Sequence, residues 1–175
     1  MVTKKSADYA VDEQLGFILR LAMHFHTGIF TSLMSENLTQ TQFATLARIR
    51  EVGTCTQSDL TRLMALDSAT VNGVIERLHN RSFIQIADDP SDGRRQSISL
   101  SEQGRQTYAL AETVAREITS KTVQALTQSE QRRLVYLLKK MIGFRALTLD
   151  LKGKPLNAPN KSADKYYRRP RRAKT

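Results

Sequence analysis

Residues 56–100 decide the fold and read TQSDLTRLMALDSATVNGVIERLHNRSFIQIADDPSDGRRQSISL. Thr56 is a candidate N-cap of one helix, and Asp67 or Ser68 is the candidate N-cap of a second. The apolar residues of both segments recur at the spacing of an amphipathic helix: Leu60, Leu63 and Met64, then Val71, Val74, Ile75 and Leu78. This part of the stretch therefore predicts a helix-turn-helix.

The second of these helices has small and polar residues on its other face. They are Ser68, Ala69, Thr70, Asn72, Gly73 and Arg77. A face of this kind allows a helix to enter a major groove about 12 Å wide and to offer hydrogen-bonding groups to base edges. Taken alone, the helix fits an ordinary solvent-exposed face equally well.

The rest of the stretch predicts a two-stranded hairpin. Ile84, Ile86, Ile98 and Leu100 alternate with polar or small residues, and turn-forming residues lie between the two runs. The tip carries Asp92, Gly93, Arg94 and Arg95. An arginine there can enter a narrow minor groove, where negative potential is concentrated, while Asp92 pairs with Arg94 or with the turn amides. The hairpin therefore favours a winged helix-turn-helix that binds double-stranded DNA.

Three motifs resemble the MarR family of bacterial transcription regulators. The D-x-R motif of the family's wing is present as Asp92-Gly93-Arg94, the following L-[ST]-x-x-G as residues 100–104, and the earlier L-[ST]-x-x-[QE]-[FW] as residues 38–43. The resemblance covers roughly residues 12–149, including the order of the helices around the wing. It implies that Asp92 and Arg94 act at the wing tip, with Arg95 as the alternative groove residue. Arg62, Arg77 and Arg81 are expected to contact phosphates or to pair internally.

Long helices are predicted on both sides of the helix-turn-helix. A first helix over about residues 12–34 has two apolar sides, one with Leu15, Ile18, Ala22, Phe25, Ile29 and Leu33 and the other with Phe17, Leu21 and His24. A capping box at Thr39 opens a helix that ends near Gly53.

After the wing, Ser101 caps a helix that runs through Tyr108, Leu110, Val114 and Ile118 to about Ala125. A capping box at Thr127 opens a last helix with Leu134, Leu137, Leu138, Met141 and Ile142, which we expect to extend as far as Leu149. A small reading head cannot cover these apolar stripes, so we expect a two-fold homodimer. The predicted fold is mainly α with a small β-hairpin wing: a winged helix-turn-helix with N- and C-terminal dimerisation helices.

The charge is concentrated in the last 24 residues. Residues 152–175 contain nine Lys or Arg and one acid, so they carry +8 of the net charge of +10. We therefore predict a flexible arm at 1–11, a winged-helix domain at 12–151 with its DNA-reading head at about 38–100, and a basic disordered tail at 152–175. No apolar run is long enough to span a membrane, and the first residues do not resemble a signal peptide, which predicts a cytoplasmic protein.

Catalytic and metal-binding motifs are not found in the sequence. It contains no Gly-rich phosphate loop and no nucleophile motif, and three histidines and one cysteine are too few and too scattered for a metal site. We therefore expect no catalytic residues, no metal and no cofactor. Some MarR relatives sense oxidants through a cysteine on the first helix, but Cys55 precedes the third, so we expect a small, partly buried thiol.

The family resemblance also implies a small-molecule effector, often an aromatic carboxylate, that binds between the dimer helices and the reading head. Phe17, Arg20 and His24 are the candidate pocket residues, with Arg20 pairing with the carboxylate and Phe17 stacking on a ring. The alternative is that His24 lies in the dimer interface and Arg20 forms a salt bridge with a nearby acid.

These observations predict a ligand-responsive transcription regulator, a repressor, that binds a pseudo-palindromic operator as a homodimer and is released by a small aromatic acid or its derivative. The alternative is a sequence-tolerant architectural DNA-binding protein dominated by its basic tail. An enzyme that uses the cavity between the helices would need a general acid or base there, and among the candidate pocket residues only His24 offers one.

Overall fold

The computed structural model describes residues 9–89 and 92–142, without the side chains of residues 89 and 92–95. Between two short 3-10 turns, Val11–Glu13 and Ser35–Asn37, lies α1 (Leu15–Leu33). The remaining elements are α2 (Gln40–Val52), β1 (Thr54–Cys55), α3 (Gln57–Met64), α4 (Ser68–Asn80), β2 (Ile84–Asp89), β3 (Asp92–Leu100), α5 (Glu102–Thr122) and α6 (Gln128–Met141). The predicted winged helix-turn-helix is confirmed. Most of the arm, the basic tail and the expected extension of α6 to Leu149 lie outside the described residues.

Side-chain caps set where the helices begin. Thr39, Thr56 and Thr127 each form a complete capping box. In each box the threonine hydroxyl accepts from the backbone N–H three residues later, and the side chain of that later residue accepts from the backbone N–H of the threonine. Asp67 is the N-cap of α4, because its carboxylate accepts from the backbone N–H of Thr70 at 2.8 Å. Ser68, the alternative cap in the sequence, is the first residue of the helix.

The sheet has three strands instead of the two that the sequence predicted. All pairs are antiparallel, in the order β1-β3-β2, and Ile84 and Ile86 pair with Leu100 and Ile98 as expected for the hairpin. The extra strand, β1, pairs Cys55 with Ile98. Two residues are too few to show a period in the sequence, so β1 could not be found there.

The core lies within residues 38–111 and determines which face of α4 points inward. Leu46, Ile49, Leu60 and Leu78 are fully buried. Within α4 the buried residues are the four that the periodicity predicted: Val71, Val74, Ile75 and Leu78. Because this face is held in the core, the opposite face of α4 is turned to solvent.

Helix α1 packs along α5 with a face that matches the predicted apolar side only in part: Leu33 was assigned to that side, but Phe30 and His26 were not. Phe30 is its buried residue, and His26 and Leu33 on the same side are half-buried. Leu15, Ile18 and Phe25, which were assigned to one apolar side, are exposed in the protomer. Because α1 is apolar on several sides, its own sequence does not show which side is inward, and only its packing on α5 does.

The two C-terminal helices also have exposed apolar residues. Leu110, one of the apolar residues named for α5, is exposed in the protomer, whereas Thr107, Ala111 and Ile118 are buried. No residue of α6 is buried, and its Leu134, Leu137, Leu138 and Met141 are exposed. Within the described part of the chain, no helix is both long enough and apolar enough to cross a membrane.

Candidate DNA-binding surface and effector site

The outward face of α4 is the candidate DNA-reading surface. The predicted contact residues Ser68, Ala69, Thr70, Asn72 and Arg77 are all exposed on it. Thr70 donates its hydroxyl hydrogen to Asp67, and Ser68 accepts from the side-chain amide of Gln57 at 3.2 Å. Gln57, at the first position of α3, is therefore a further polar residue of this surface. Sequence reasoning missed it because it lies on the preceding helix.

Arg77 brings a positive charge to the middle of this surface. Its Nη1 atom is 3.3 Å from the position that a Cβ would have at Gly73, one turn earlier. The guanidinium therefore lies along the helix, over the glycine, instead of extending into solvent. This arrangement places five N–H donors where a groove-bound helix meets DNA.

Of the other candidate phosphate contacts, two are paired within the protein. Arg62 pairs with Asp59 at 2.9 Å and Arg81 with Glu36. Partial burial raises the pKa of Asp59, but hydrogen bonds from Thr56 and Arg62 outweigh it and hold this pKa below its usual value. Arg62 therefore helps to stabilise the start of α3.

The wing is formed by β2 and β3, with β3 beginning at Asp92 opposite Asp89. The side chains of Asp92, Arg94 and Arg95, which the sequence assigned to DNA contacts, lie outside the described residues. Their roles stay predictions from the sequence.

Two of the three candidate effector residues are in contact. The guanidinium carbon of Arg20 lies 4.9 Å from the ring centroid of Phe17, a cation–π contact. Phe17 is half-buried, whereas Arg20 and His24 are exposed. Across residues 9–89 and 92–142 no salt bridge includes Arg20, so the ion pair considered as an alternative is not formed there.

A row of four rings joins α1, α2 and α5 on the side of α1 that packs against the rest of the protomer. His26 contacts Phe30, Phe30 contacts Phe43, and Phe43 stacks on Tyr108, with centroid separations of 6.3, 6.4 and 6.0 Å. His26 Nδ1 also lies 2.9 Å from Thr122 Oγ1. Burial, with a smaller contribution from Glu112, raises the pKa of Tyr108 above its usual value. Sequence reasoning selected His24, whereas the histidine that packs against α5 is His26. The available signal was that His26 lies four residues before Phe30 and therefore on the same side of α1.

Cys55 is buried, as expected, and is held as a thiol. Its Sγ donates to the carbonyl oxygen of Ile98 at 3.9 Å. Burial, reinforced by the Asp59 carboxylate, raises the pKa of this thiol to about 12. The thiolate is therefore scarce at neutral pH, unlike that of a reactive cysteine. In the described ranges, no group of three or more His, Cys, Asp or Glu is placed to hold a metal ion.

Comparisons with known proteins point to one family. The sequence model of the MarR family matches residues 38–95. The HTH-type transcriptional repressor NicR of Pseudomonas putida is 37% identical over 135 residues, which cover 77% of this chain and 85% of NicR.

Two solved structures are similar as well. A probable transcriptional regulator from Pseudomonas aeruginosa is 42% identical, with a TM-score of 0.74 and coverage of 75% of this chain and 99% of that one. BpsR of Bordetella bronchiseptica, whose DNA binding is regulated by 6-hydroxynicotinic acid, is 37% identical with a TM-score of 0.74, covering 77% and 97% of the two chains.

Proposed function

Because this chain belongs to the MarR family of transcription regulators, we propose that it represses transcription as a homodimer that binds a pseudo-palindromic operator and is released by a small aromatic acid. The observation that carries this proposal is the outward face of α4, which is exposed and polar while its opposite face is locked into the core. The reading residues are Ser68, Ala69, Thr70, Asn72 and Arg77, with Asp92, Arg94 and Arg95 at the wing.

The unpartnered apolar faces support the dimer. Helix α6 has no buried residue in the protomer, and α1 exposes Leu15, Ile18, Leu21 and Phe25. A short amphipathic helix is marginal in water unless its apolar face packs against something. A second copy covers both faces at once and presents two α4 helices to successive major grooves, with half-site centres about 10 bp apart.

The aromatic acid is supported by the α1 residues and by one relative. Arg20 supplies a cation without a carboxylate partner in the described part of the chain, and Phe17 beneath it supplies a ring face. BpsR responds to an acid of this class, 6-hydroxynicotinic acid. We therefore place the effector beside Phe17, Arg20 and His24 on α1.

The first test is sequence preference. Asn72→Ala is expected to weaken binding to an operator selected in vitro by the full-length protein and to leave random-duplex affinity nearly unchanged, since a base contact is worth about 1–3 kcal/mol. Arg94→Ala is expected to weaken operator binding while the dimer and its melting temperature stay the same. Ser120→Ala, on the exposed side of α5, is the control. Equal loss on operator and random DNA for Asn72→Ala would reduce that residue to a phosphate contact.

The second test is release by ligand. Arg20→Ala is expected to bind the operator normally but to require at least about tenfold more 6-hydroxynicotinic acid for release, because losing a charge-assisted contact costs about 1.5–3 kcal/mol. Arg20→Lys keeps the charge but not the planar guanidinium, so the acid concentration that it needs for release should lie between those of the wild type and Arg20→Ala. Fluorescence anisotropy of a labelled operator measures both quantities. Release of Arg20→Ala at the wild-type concentration would place the anchor elsewhere.

The alternative function, a sequence-tolerant architectural protein dominated by residues 152–175, is distinguished by the same assay. A regulator binds its operator about 10³-fold or more tighter than random DNA at physiological salt, whereas an architectural protein does not. A ratio near one would therefore favour the architectural protein over the repressor.

A further inference from the structure

The C-terminal end of α4 is locked in place by the backbone. The N–H of Phe83 donates to the carbonyl of Leu78 at 2.9 Å, and the N–H of Ser82 donates to that of His79 at 2.8 Å, which together form a Schellman motif. Ser82 takes the left-handed position of the motif with a φ of 57°. Arg81, the C-cap residue, therefore has a fixed backbone position at the end of the candidate reading helix.

From this position the side chain of Arg81 reaches the connector between α1 and α2, residues 34–39. Its Nη2 donates to the backbone carbonyl oxygen of Glu36 at 2.6 Å and lies 3.7 Å from the Glu36 carboxylate. The guanidinium also lies over the ring of Phe83, 4.4 Å from its centroid. Three contacts thus hold one side chain between the connector and the foot of the wing.

The connector is well suited to receive such a contact. Glu36 and Asn37 have φ values of 58° and 47°, a conformation that costs about 1 kcal/mol or more for a residue other than glycine. Such a conformation persists only where its surroundings hold it. The bond from Arg81 to the Glu36 carbonyl is one interaction that does so, and α1 ends three residues before Glu36.

The start of α5 meets the same junction from the other side. The hydroxyl of Ser101 donates to the Ser82 carbonyl at 2.5 Å, and the backbone N–H of Ser101 donates to that of Phe83 at 3.1 Å. The connector that follows α1 and the start of α5 therefore both contact residues 81–83. The contact with the start of α5 includes a backbone hydrogen bond from Ser101, whereas the contact with the connector is made by the side chain of Arg81.

We propose that Arg81 is a positioning residue that fixes the direction of α4 relative to α1 and thereby sets the half-site spacing that the protein reads. This inference rests on the proposed function, because it needs two reading heads joined by dimer helices. In such a dimer, the angle between α1 and α4 decides how far apart the two α4 helices lie. Removing the contact from Arg81 to Glu36 leaves each head folded but lets it turn about the connector.

The proposal is tested by half-site spacing. The operator selected in vitro by the full-length protein is resynthesised with one or two base pairs removed from or added to its centre. Each base pair displaces a half-site by about 3.4 Å and rotates it by about 34°. With the wild-type protein we expect a loss of about tenfold or more per base pair, since the duplex or the dimer must deform to compensate. Arg81→Ala is expected to bind the original spacing more weakly and to lose less than about threefold per base pair.

Three variants serve as controls. Arg48→Ala removes an arginine of similar exposure, 28% against 33%, from an ion pair with Glu51 inside α2, and should keep the sharp profile. Arg81→Lys keeps the charge without the planar stack on Phe83, so its loss of affinity per base pair should lie between those of the wild type and Arg81→Ala. Glu36→Ala keeps the carbonyl acceptor and should flatten the profile less than Arg81→Ala.

The outcomes distinguish failure of the positioning role of Arg81 from failure of the proposed function, operator binding by a dimer. A sharp profile for Arg81→Ala, equal to that of the wild type, overturns the positioning role. A flattened profile for Arg48→Ala overturns it too, because loss of charge alone would then suffice. A wild-type protein that is indifferent to spacing instead overturns the two-headed reading of DNA. Melting temperatures and dimer content of each variant, measured at one protein concentration, identify any variant that has simply unfolded.

Discussion

Gly104→Ala is expected to lower the free energy of unfolding by about 3 kcal/mol or more, because the added methyl group has no space. A Cβ at this position would lie 1.8 Å from the carbonyl oxygen of Phe83 and 2.7 Å from its carbonyl carbon. These are backbone atoms at the foot of the wing, so no rotamer change can relieve the overlap. The first turn of α5 would have to move away from Phe83, which also disturbs the hydrogen bonds from Ser101 to residues 82 and 83.

Thermal unfolding at a fixed dimer concentration measures this effect, and a loss of that size corresponds to a melting temperature lower by roughly 6–12 °C. Gly16→Ala is the matched control, a helical glycine with nothing within 4 Å of its missing Cβ. There the better helix propensity of alanine should leave stability unchanged or raise it by up to about 1 kcal/mol. If Gly104→Ala melted like the control, the close approach of α5 to Phe83 would be wrong.

The double variant Leu134→Gln/Leu138→Gln is expected to convert the protein to monomers at micromolar concentration. Both leucines are exposed in the protomer and lie one turn apart on α6. In the proposed dimer both leucines are buried. Each substitution therefore places a glutamine amide without a hydrogen-bond partner in an apolar interface, and does so in both subunits. Because one reading head then binds alone, operator affinity should fall by about 100-fold or more.

Sedimentation measures the oligomeric state, and operator anisotropy measures the affinity. Arg132→Gln/Tyr136→Gln carries the same substitutions at the same spacing on the opposite side of α6, and we expect it to stay dimeric. Glutamine is a good helix former, so neither pair should unfold α6 itself. A dimeric Leu134→Gln/Leu138→Gln protein with full operator affinity would show that α6 is not the dimer helix.

Local rules were sufficient for most helix starts and for the exposed polar face of α4. The capping boxes at Thr39 and Thr127 and the N-cap at Thr56 are formed as the sequence predicted, since each depends on side chains three residues apart. The inward face of α4 follows from its apolar spacing, and its exposed polar face follows from the inward one. The same rules found the apolar residues of α1 and α5 but not the side that packs inside the protomer, because a helix with several apolar sides does not show from its own sequence which side its neighbours cover.

The sequence by itself therefore determined the order of helices and wing, the helix caps and which face of α4 is polar and exposed, all of which depend on residues a few positions apart. Only the tertiary structure decided that β1 joins the sheet, that His26 and not His24 packs against α5, and that Arg81 reaches Glu36. The sequence motif at residues 100–104 includes Gly104, but only the packing of α5 on Phe83 shows why a side chain cannot fit there. The contacts of His26 and Arg81 join residues 96 and 45 positions apart, and no local period or propensity encodes which distant residues meet once the core has packed.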